Sequence, residues 1–339
     1  MAKNLGRESD GTGLVIVLLL VAGMLLTCSR PVRGLSTGFY SYTCPDLEST
    51  VKNGVDSAVA SDPRVGASIL RVHFHDCFVD GCDGSVLLDD TTSFIGEKGA
   101  PQNANSLRGF GAIDDIKSSV EAICPGIVSC ADILTIAARD SVVNAGGPSW
   151  DVELGRYDSL TASKSDAVAS LPSPLSDLST ITGNFANVGL SETDLVALSG
   201  AHTFGKAQCG AFVGRLYDFQ GTGSPDPTID PTYLQTLQAN CPDGGDGSVL
   251  NNLDQGTPTA FDNSYYNNLL VNKGLLNSDQ VLESTSGSTT TQNLVTSFGG
   301  DQSSFFSQFS ASMLKMGRIS PKSSSNGQIR TNCRVVNSA

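Results

Sequence analysis

Apolar residues recur at helical spacing in three well-separated stretches of the chain. Phe110, Ile113, Ile116, Val120 and Ile123 make one stripe, Leu178, Ile181, Phe185 and Val188 a second, and Phe305, Phe309, Met313 and Met316 a third. Positions three and four apart share one face of an α-helix, so each stripe predicts a helix with a buried side. Punctuation agrees with these assignments. Ser191-Glu-Thr-Asp194 reads as a helix start, and Gly146-Gly-Pro148 as a helix stop followed by a breaker. Strand alternation is scarce, so the pattern predicts a mostly α-helical protein with a few short strands in its second half. Leu160 to Pro174, rich in Ser, Ala and Pro, and Gly221 to Pro231, rich in Gly, Pro and Asp, read as linkers. The aromatic and Met stripes, and the single tryptophan Trp150, read as core and are assigned no chemistry.

The N-terminus breaks this pattern. Lys3 and Arg7 precede the apolar run Leu14 to Leu26, and polar Thr27-Cys-Ser-Arg30 follows it. Thirteen residues are short for a bilayer crossing. Residues 1–34 therefore read as a signal peptide cleaved near Leu35, with an uncleaved membrane anchor as the alternative. Cleavage would remove Cys28 and leave an even set: Cys44, Cys77, Cys82, Cys124, Cys130, Cys209, Cys241 and Cys333. An even set in a secreted chain reads as disulfides. The residues alone favour only the local bridge Cys77 to Cys82, because eight cysteines allow about 105 pairings. A zinc site is disfavoured by the absence of any CxxC pair.

Charge narrows the partners. The chain carries a net −13, and four cations against two anions before residue 35 leave −15 for the remainder. Such a surface repels nucleic acid and anionic membranes, and is compatible with metal cations and neutral substrates. No Asn-x-Ser/Thr sequon occurs, so no N-glycan is expected.

The sharpest chemical signal is Arg71-Val-His-Phe-His75-Asp-Cys. On a helix, Arg71 and His75 share a face, whereas His73 lies roughly 200° round from His75. A fixed cation beside a neutral imidazole suits catalysis, since one holds developing negative charge while the other moves a proton. Only three histidines exist, and the third sits in Leu198-Ser-Gly-Ala-His202-Thr-Phe-Gly205. Two rare residues in Gly-punctuated, weakly charged settings suggest two sides of one pocket. These two segments closely resemble the distal and proximal haem signatures of secreted plant (class III) peroxidases of the horseradish type. The resemblance runs from about Phe39 to Asn337 and includes Gly146-Gly-Pro-Ser-Trp150, Pro258-Thr-Ala-Phe-Asp262-Asn and Gly327-Gln-Ile-Arg-Thr-Asn-Cys333.

The resemblance implies a haem peroxidase fold over residues 35–339, with a distal half at about 35–175 and a proximal half at about 176–339 enclosing one haem b. It implies an enzyme that reduces hydrogen peroxide to water while oxidising phenolic donors in one-electron steps. His202 would be the proximal iron ligand and Asp279 its carboxylate partner. His75 would move the peroxide proton, Arg71 would stabilise the breaking O–O bond, Asn103 would orient His75, and Phe74 would confine the site. Pro172 matches the edge where aromatic donors dock, although the rim positions that can carry phenylalanine read Pro101, Leu175 and Ala211. The implied disulfides are Cys44 with Cys124, Cys130 with Cys333, and Cys209 with Cys241, each worth about 2–4 kcal/mol. The doubled arginine of the family is altered to Arg156-Tyr157.

Oxygen-rich loops beside both histidines suit hard cations. Two Ca2+ ions are implied by the resemblance. Asp76, Val79, Gly81, Asp83 and Ser85 match one ligand set, and Thr203, Asp254, Thr257, Ala260 and Asp262 the other. Glu97 matches a residue tied by water to the first, and Asp80 reads as solvated surface. The expected protein is a monomer with no membrane association after signal cleavage. Family members sent to the vacuole tend to carry a longer tail after the last cysteine, so the stop at Ala339 favours the extracellular cell wall space. Two rivals remain from the residues alone. One is a secreted, disulfide-stapled calcium-binding protein without redox chemistry; the other is a non-haem metal hydrolase using His73 and His75.

Overall fold

A computed structural model describes Met1 and residues 34–338. The leader reading falls on residues 2–33, outside the described residues. By its contacts the chain divides into two units, Met1–Gly34 and Leu35–Ala339. Among the described residues, no helix is long and apolar enough to cross a membrane.

The second unit is mostly helical. Its first part runs α1 (Leu47–Ser61), α2 (Val65–Cys77), α3 (Phe110–Ile123), α4 (Cys130–Asn144) and α5 (Lys164–Ser170). There follow α6 (Leu178–Asn187), α7 (Glu192–Ser199), α8 (Val213–Tyr217), α9 (Pro231–Asn240), α10 (Ser264–Leu270), α11 (Asn277–Ser284), α12 (Thr289–Gly300) and α13 (Gln302–Met316). The three apolar stripes fall on α3, α6 and α13, whose buried residues include Ile113, Ile116 and Val120, Leu178, Ile181 and Phe185, and Phe305, Phe309, Met313 and Met316. Ile123, at the end of its stripe, is exposed. The two strands of the unit's one sheet, β1 (Lys206–Gln208) and β2 (Leu250–Asn252), pair antiparallel with Ala207 opposite Asn251.

Side-chain caps set many helix starts. Ser129, Asp177 and Asp230 each accept from a backbone N–H in the first turn of α4, α6 and α9. Ser191 and Asp194 close a capping box on α7, as the sequence predicts. One linker assignment fails. Lys164–Ser170, within the predicted linker Leu160 to Pro174, is helical, because Ser163 caps Asp166 and the turn buries Ala167. Seven residues with one buried apolar side chain carry no periodicity to read. Gly221 to Pro231 is mainly loop, held where Asp226 accepts from Arg215 at 2.9 Å.

Helices α2 and α4 are buried nearly all round and pack on each other at the centre. One large apolar cluster reaches from Tyr40 to Cys333, and a smaller one gathers Cys209, Phe212, Leu216, Tyr233, Leu237, Cys241 and Leu275. Three arginines are the largest fully buried side chains. Arg156 pairs with Asp132 at 2.8 Å, Arg215 with Asp226 at 2.8 Å, and Arg330 with Asp158 at 3.8 Å. Each also donates to distant carbonyls: Arg156 to Gly317, Arg215 to Gly274 and Leu275, and Arg330 to Gly84. A buried guanidinium needs both its counter-charge and its hydrogen bonds, so each arginine fixes segments that sequence places far apart. Four disulfides complete the frame: Cys44–Cys124, Cys77–Cys82, Cys130–Cys333 and Cys209–Cys241.

Candidate active site

The last two turns of α2 carry Arg71, Phe74 and His75. Because they lie four apart, Arg71 and His75 meet on one face, and Arg71 Nε donates to His75 Nε2 at 3.2 Å. The guanidinium is held from behind by the carbonyls of Gln102 at 2.8 Å and Ser106 at 3.2 Å, and by the Ser106 hydroxyl at 3.1 Å. His75 Nδ1 lies 2.6 Å from Asn103 Oδ1, and Asn103 Nδ2 donates to the Glu97 carbonyl at 3.0 Å. That second bond orients the amide so that its oxygen faces the ring. Nδ1 therefore carries the proton and Nε2 keeps its lone pair, an assignment made from the hydrogen-bond network. Burial, then the Arg71 charge, hold His75 well below the usual imidazole range, against an upward pull from Asn103. Burial lowers Arg71 only to about 10, so it stays cationic at neutral pH. Phe74 stacks on Phe78 at 4.1 Å and touches the His75 ring edge, which makes an apolar wall beside the base.

His73 points elsewhere, as its position on the helix predicts. It is fully buried, burial depresses it to about 3, and Nδ1 lies 3.7 Å from Cys77 Sγ. His73, Cys77 and Cys82 cluster closely enough to hold a metal, but the two sulfurs are spent in a disulfide. With His73 and His75 facing different surroundings, the hydrolase alternative has no geometry to support it.

His202 sits in a 3-10 turn, Gly200–Thr203, that continues α7. Its Nδ1 lies 2.7 Å from Asp279 Oδ1, a buried carboxylate at the start of α11. Tyr265 also donates to that oxygen at 3.1 Å, and the Leu276 amide to the other at 3.1 Å. The His202 side chain is 36% exposed while its carboxylate partner is 2% exposed. The imidazole thus presents Nε2 to open space while its other nitrogen is anchored. Two imidazoles, each with Nδ1 tied to a side-chain oxygen, form a donor set that fits haem: one ring as an iron ligand and one as a base. Pro172 is half-buried, and the segment after it is tied to the start of α11, where Ser278 N donates to the Pro174 carbonyl at 3.1 Å and Asn277 to Leu175 and Ser176.

Next to His75, the chain turns through Asp76, Val79, Gly81, Asp83 and Ser85. Gly81 adopts a φ of +100°, and a Cβ there would meet the Ile319 carbonyl at 2.5 Å, so only glycine fits. Asp76 accepts from the amides of Gly84 at 2.9 Å and Val86 at 3.4 Å, and Asp83 from that of Ser85 at 3.0 Å. One oxygen of Asp83, the Ser85 hydroxyl and both carboxylate oxygens of Glu97 are buried with no hydrogen-bond partner. Burial, then Asp83, push Asp76 well above the ordinary carboxylate range; burial lifts Asp83 to about 6; burial, then Asp76, raise Glu97. Lys322 Nζ lies 3.4 Å from one Asp83 oxygen, and Arg330 acts on Asp76; three buried carboxylates, two of them with oxygens short of hydrogen bonds, still fit a hard cation bound through oxygen. Asp80, by contrast, is exposed.

The loop beside His202 is similar in kind. Thr203 Oγ1 donates to Asp262 at 3.1 Å and lies 3.3 Å from buried Asp254, which also receives Thr257 Oγ1 at 3.3 Å. Ala260 lies in the same loop, its amide donating to the Thr257 carbonyl. Ser264 and Asn268, which sequence reasoning missed, donate to the other Asp254 oxygen. Gln102, Ser106 and Tyr265 were also missed. Nothing local marks them, since each acts through a residue far away in the chain.

Comparison with known proteins agrees with this arrangement. The peroxidase family model matches residues 51–301. The chain is 52% identical over 328 residues to Peroxidase 54 of Arabidopsis thaliana, covering 97% of this chain and 90% of that protein. It is 52% identical to Peroxidase 15 of Ipomoea batatas, covering 95% and 98%, and 53% identical to the lignin-forming anionic peroxidase of Nicotiana tabacum, covering 89% and 93%. Both the two-histidine site and this likeness over nearly the whole chain lead to one conclusion: the protein belongs to the class III plant peroxidases, haem enzymes that use hydrogen peroxide to oxidise donor substrates.

Proposed function

We propose that residues 35–339 act as a secreted peroxidase of phenolic donors, with a distal half at about 35–175 and a proximal half at about 176–339. His202 Nε2 would ligate the iron, and Asp279, accepting from Nδ1, would give that imidazole anionic character. When bound, haem supplies a centre able to exchange electrons singly or in pairs with peroxide and donor. On the other side, His75 Nε2 takes the proton from one peroxide oxygen and delivers it to the other. Arg71 holds the negative charge that develops as the O–O bond breaks, and Asn103 keeps His75 in the tautomer able to accept. Phe74 limits the space to a small peroxide, and phenols dock at the edge near Pro172. The observation that carries this reading is the pairing of both Nδ1 atoms with side-chain oxygens.

Two Ca2+ ions belong to the same reading. Asp76, Val79, Gly81, Asp83 and Ser85 would hold one, with Glu97 behind it, and Thr203, Asp254, Thr257, Ala260 and Asp262 the other. Each set adjoins a functional histidine, Asp76 beside His75 and Thr203 beside His202. Residues 1–34 are proposed as a cleaved signal peptide, directing a monomer to the cell wall space. The test is the absorption spectrum of the mature protein with calcium, before and after one equivalent of hydrogen peroxide. A Soret band that shifts with peroxide and recovers with a phenol is expected. The His75→Ala variant should react about 10² to 10⁴ more slowly. A variant as fast as the native protein, or a colourless native protein, would overturn the assignment.

A further inference from the structure

An enzyme that releases phenoxyl radicals endangers its own phenols, and this chain hides nearly all of them. Tyr40, Tyr233, Tyr265, Tyr266 and the single Trp150 are buried, and Tyr157 and Tyr217 are half-buried. Five hydroxyls are also occupied: Tyr40 donates to Asp132, Tyr217 to the Cys241 carbonyl, Tyr265 to Asp279 and Tyr266 to the Val196 carbonyl, while Tyr233 accepts from Gln255. Tyr42 is the exception, at 98% exposed.

Its exposure does not come from a loose end. Ser41 N donates to the Gly38 carbonyl at 3.0 Å, Cys44 N to the Tyr40 carbonyl at 2.8 Å, and Cys44 is bridged to Cys124. Tyr40, two residues before it, is packed in the core. The turn therefore holds the Tyr42 ring out into solvent, where it buries nothing and stabilises nothing. Its sequence neighbours Ser41 and Thr43 are small and uncharged.

We propose that Tyr42 is an oxidative coupling site, at which the enzyme becomes covalently joined to its own phenolic products. The inference rests on the reading that phenols are the donors. One turnover takes peroxide to water and leaves a pair of phenoxyl radicals. One radical takes the hydrogen atom of the Tyr42 hydroxyl and returns to phenol. The resulting tyrosyl radical joins the second radical through a carbon ortho to its oxygen, and the proton that carbon sheds is taken up by the oxygen, which restores the aromatic phenol. Each adduct consumes one peroxide and one donor molecule. The protein gains the mass of the donor less a pair of hydrogen atoms.

The test treats the holoenzyme with tyramine and hydrogen peroxide, follows tyramine oxidation by absorbance, and maps mass adducts by peptide. Adducts concentrated on the peptide carrying Tyr42 are expected. The Tyr42→Phe variant should lose them while oxidising tyramine at the native rate. Normal oxidation with the label spread over Tyr157 and Tyr217, or retained in Tyr42→Phe, would overturn this inference alone. Absence of tyramine oxidation would overturn it together with the reading of phenols as donors.

Discussion

Asn103 Oδ1 lies 2.6 Å from His75 Nδ1, and the same amide donates to the Glu97 carbonyl at 3.0 Å. The tautomer of the base is thus set by a residue 28 positions away that need not touch the peroxide. Replacing Asn103 with Val removes the acceptor and frees the ring to turn. The reaction with peroxide, followed by stopped-flow, should slow by about 10- to 100-fold while haem content stays native. An unchanged rate would mean that packing alone orients His75.

Asp279 is the counterpart beside His202. In the proposed assignment its negative charge would favour the more oxidised iron through the imidazole, and Asp279→Asn keeps the shape while removing that charge. The ferric/ferrous potential should rise, on the order of tens of millivolts, in a redox titration. A potential that stays the same or falls would show that the carboxylate only positions the ring.

These two pairings mark the limit of what was legible in the sequence. Arg71 and His75 are four apart on a helix, so spacing alone brings them together. His202 and Asp279 lie 77 residues apart, and no local pattern connects them. Their partnership was readable only through family resemblance. The apolar stripes of α3, α6 and α13 were legible because burial imposes a period. Helix α5 was not, because a serine cap and one buried alanine make it. Tyr265, Gln102 and Ser106 went unread because their partners, too, are set by tertiary packing.

The carboxylates behind His75 make a second kind of prediction. On the proposed two-calcium reading, Asp83→Asn takes a charge from the oxygen set beside His75, and bound calcium measured by atomic absorption should fall from about two per chain towards one. Chelation of the native protein should lower its melting temperature and slow the peroxide reaction together, because Asp76 adjoins the base. Loss of calcium with no change in either would separate the cation from the active site.

Asp194 ties the start of α7 to α13, accepting from Ser191 N at 2.8 Å, Ser312 Oγ at 2.9 Å and Lys315 Nζ at 2.5 Å. Burial pushes this carboxyl up, but Lys315, Ser191 and Ser312 together outweigh it and hold the group below its ordinary 3.8. A folded value lower than the unfolded one stabilises the protein above pH 3.8 and stops doing so as pH falls through the folded value. Asp194→Asn should therefore cost about 1 kcal/mol at pH 7, the Lys315 share being reduced by solvent. In thermal melts the gap between variant and native protein should narrow as the pH drops below about 4, and a gap independent of pH would sink the assignment.

Arg330 gives the fold an order in time. Its amide donates to Asp158, its guanidinium to the Gly84 carbonyl, and Asp158 also receives the first amides of α4. During synthesis Asp158 emerges 172 residues ahead of Arg330. At about 5–20 residues per second that interval is on the order of ten seconds or more. Until then the loop beside His75 has no guanidinium against Gly84, and Cys130 has no Cys333 to pair with. The part of the molecule that is made early is consequently completed late, and the nascent chain must be kept from oxidising Cys130 with a wrong partner while it waits.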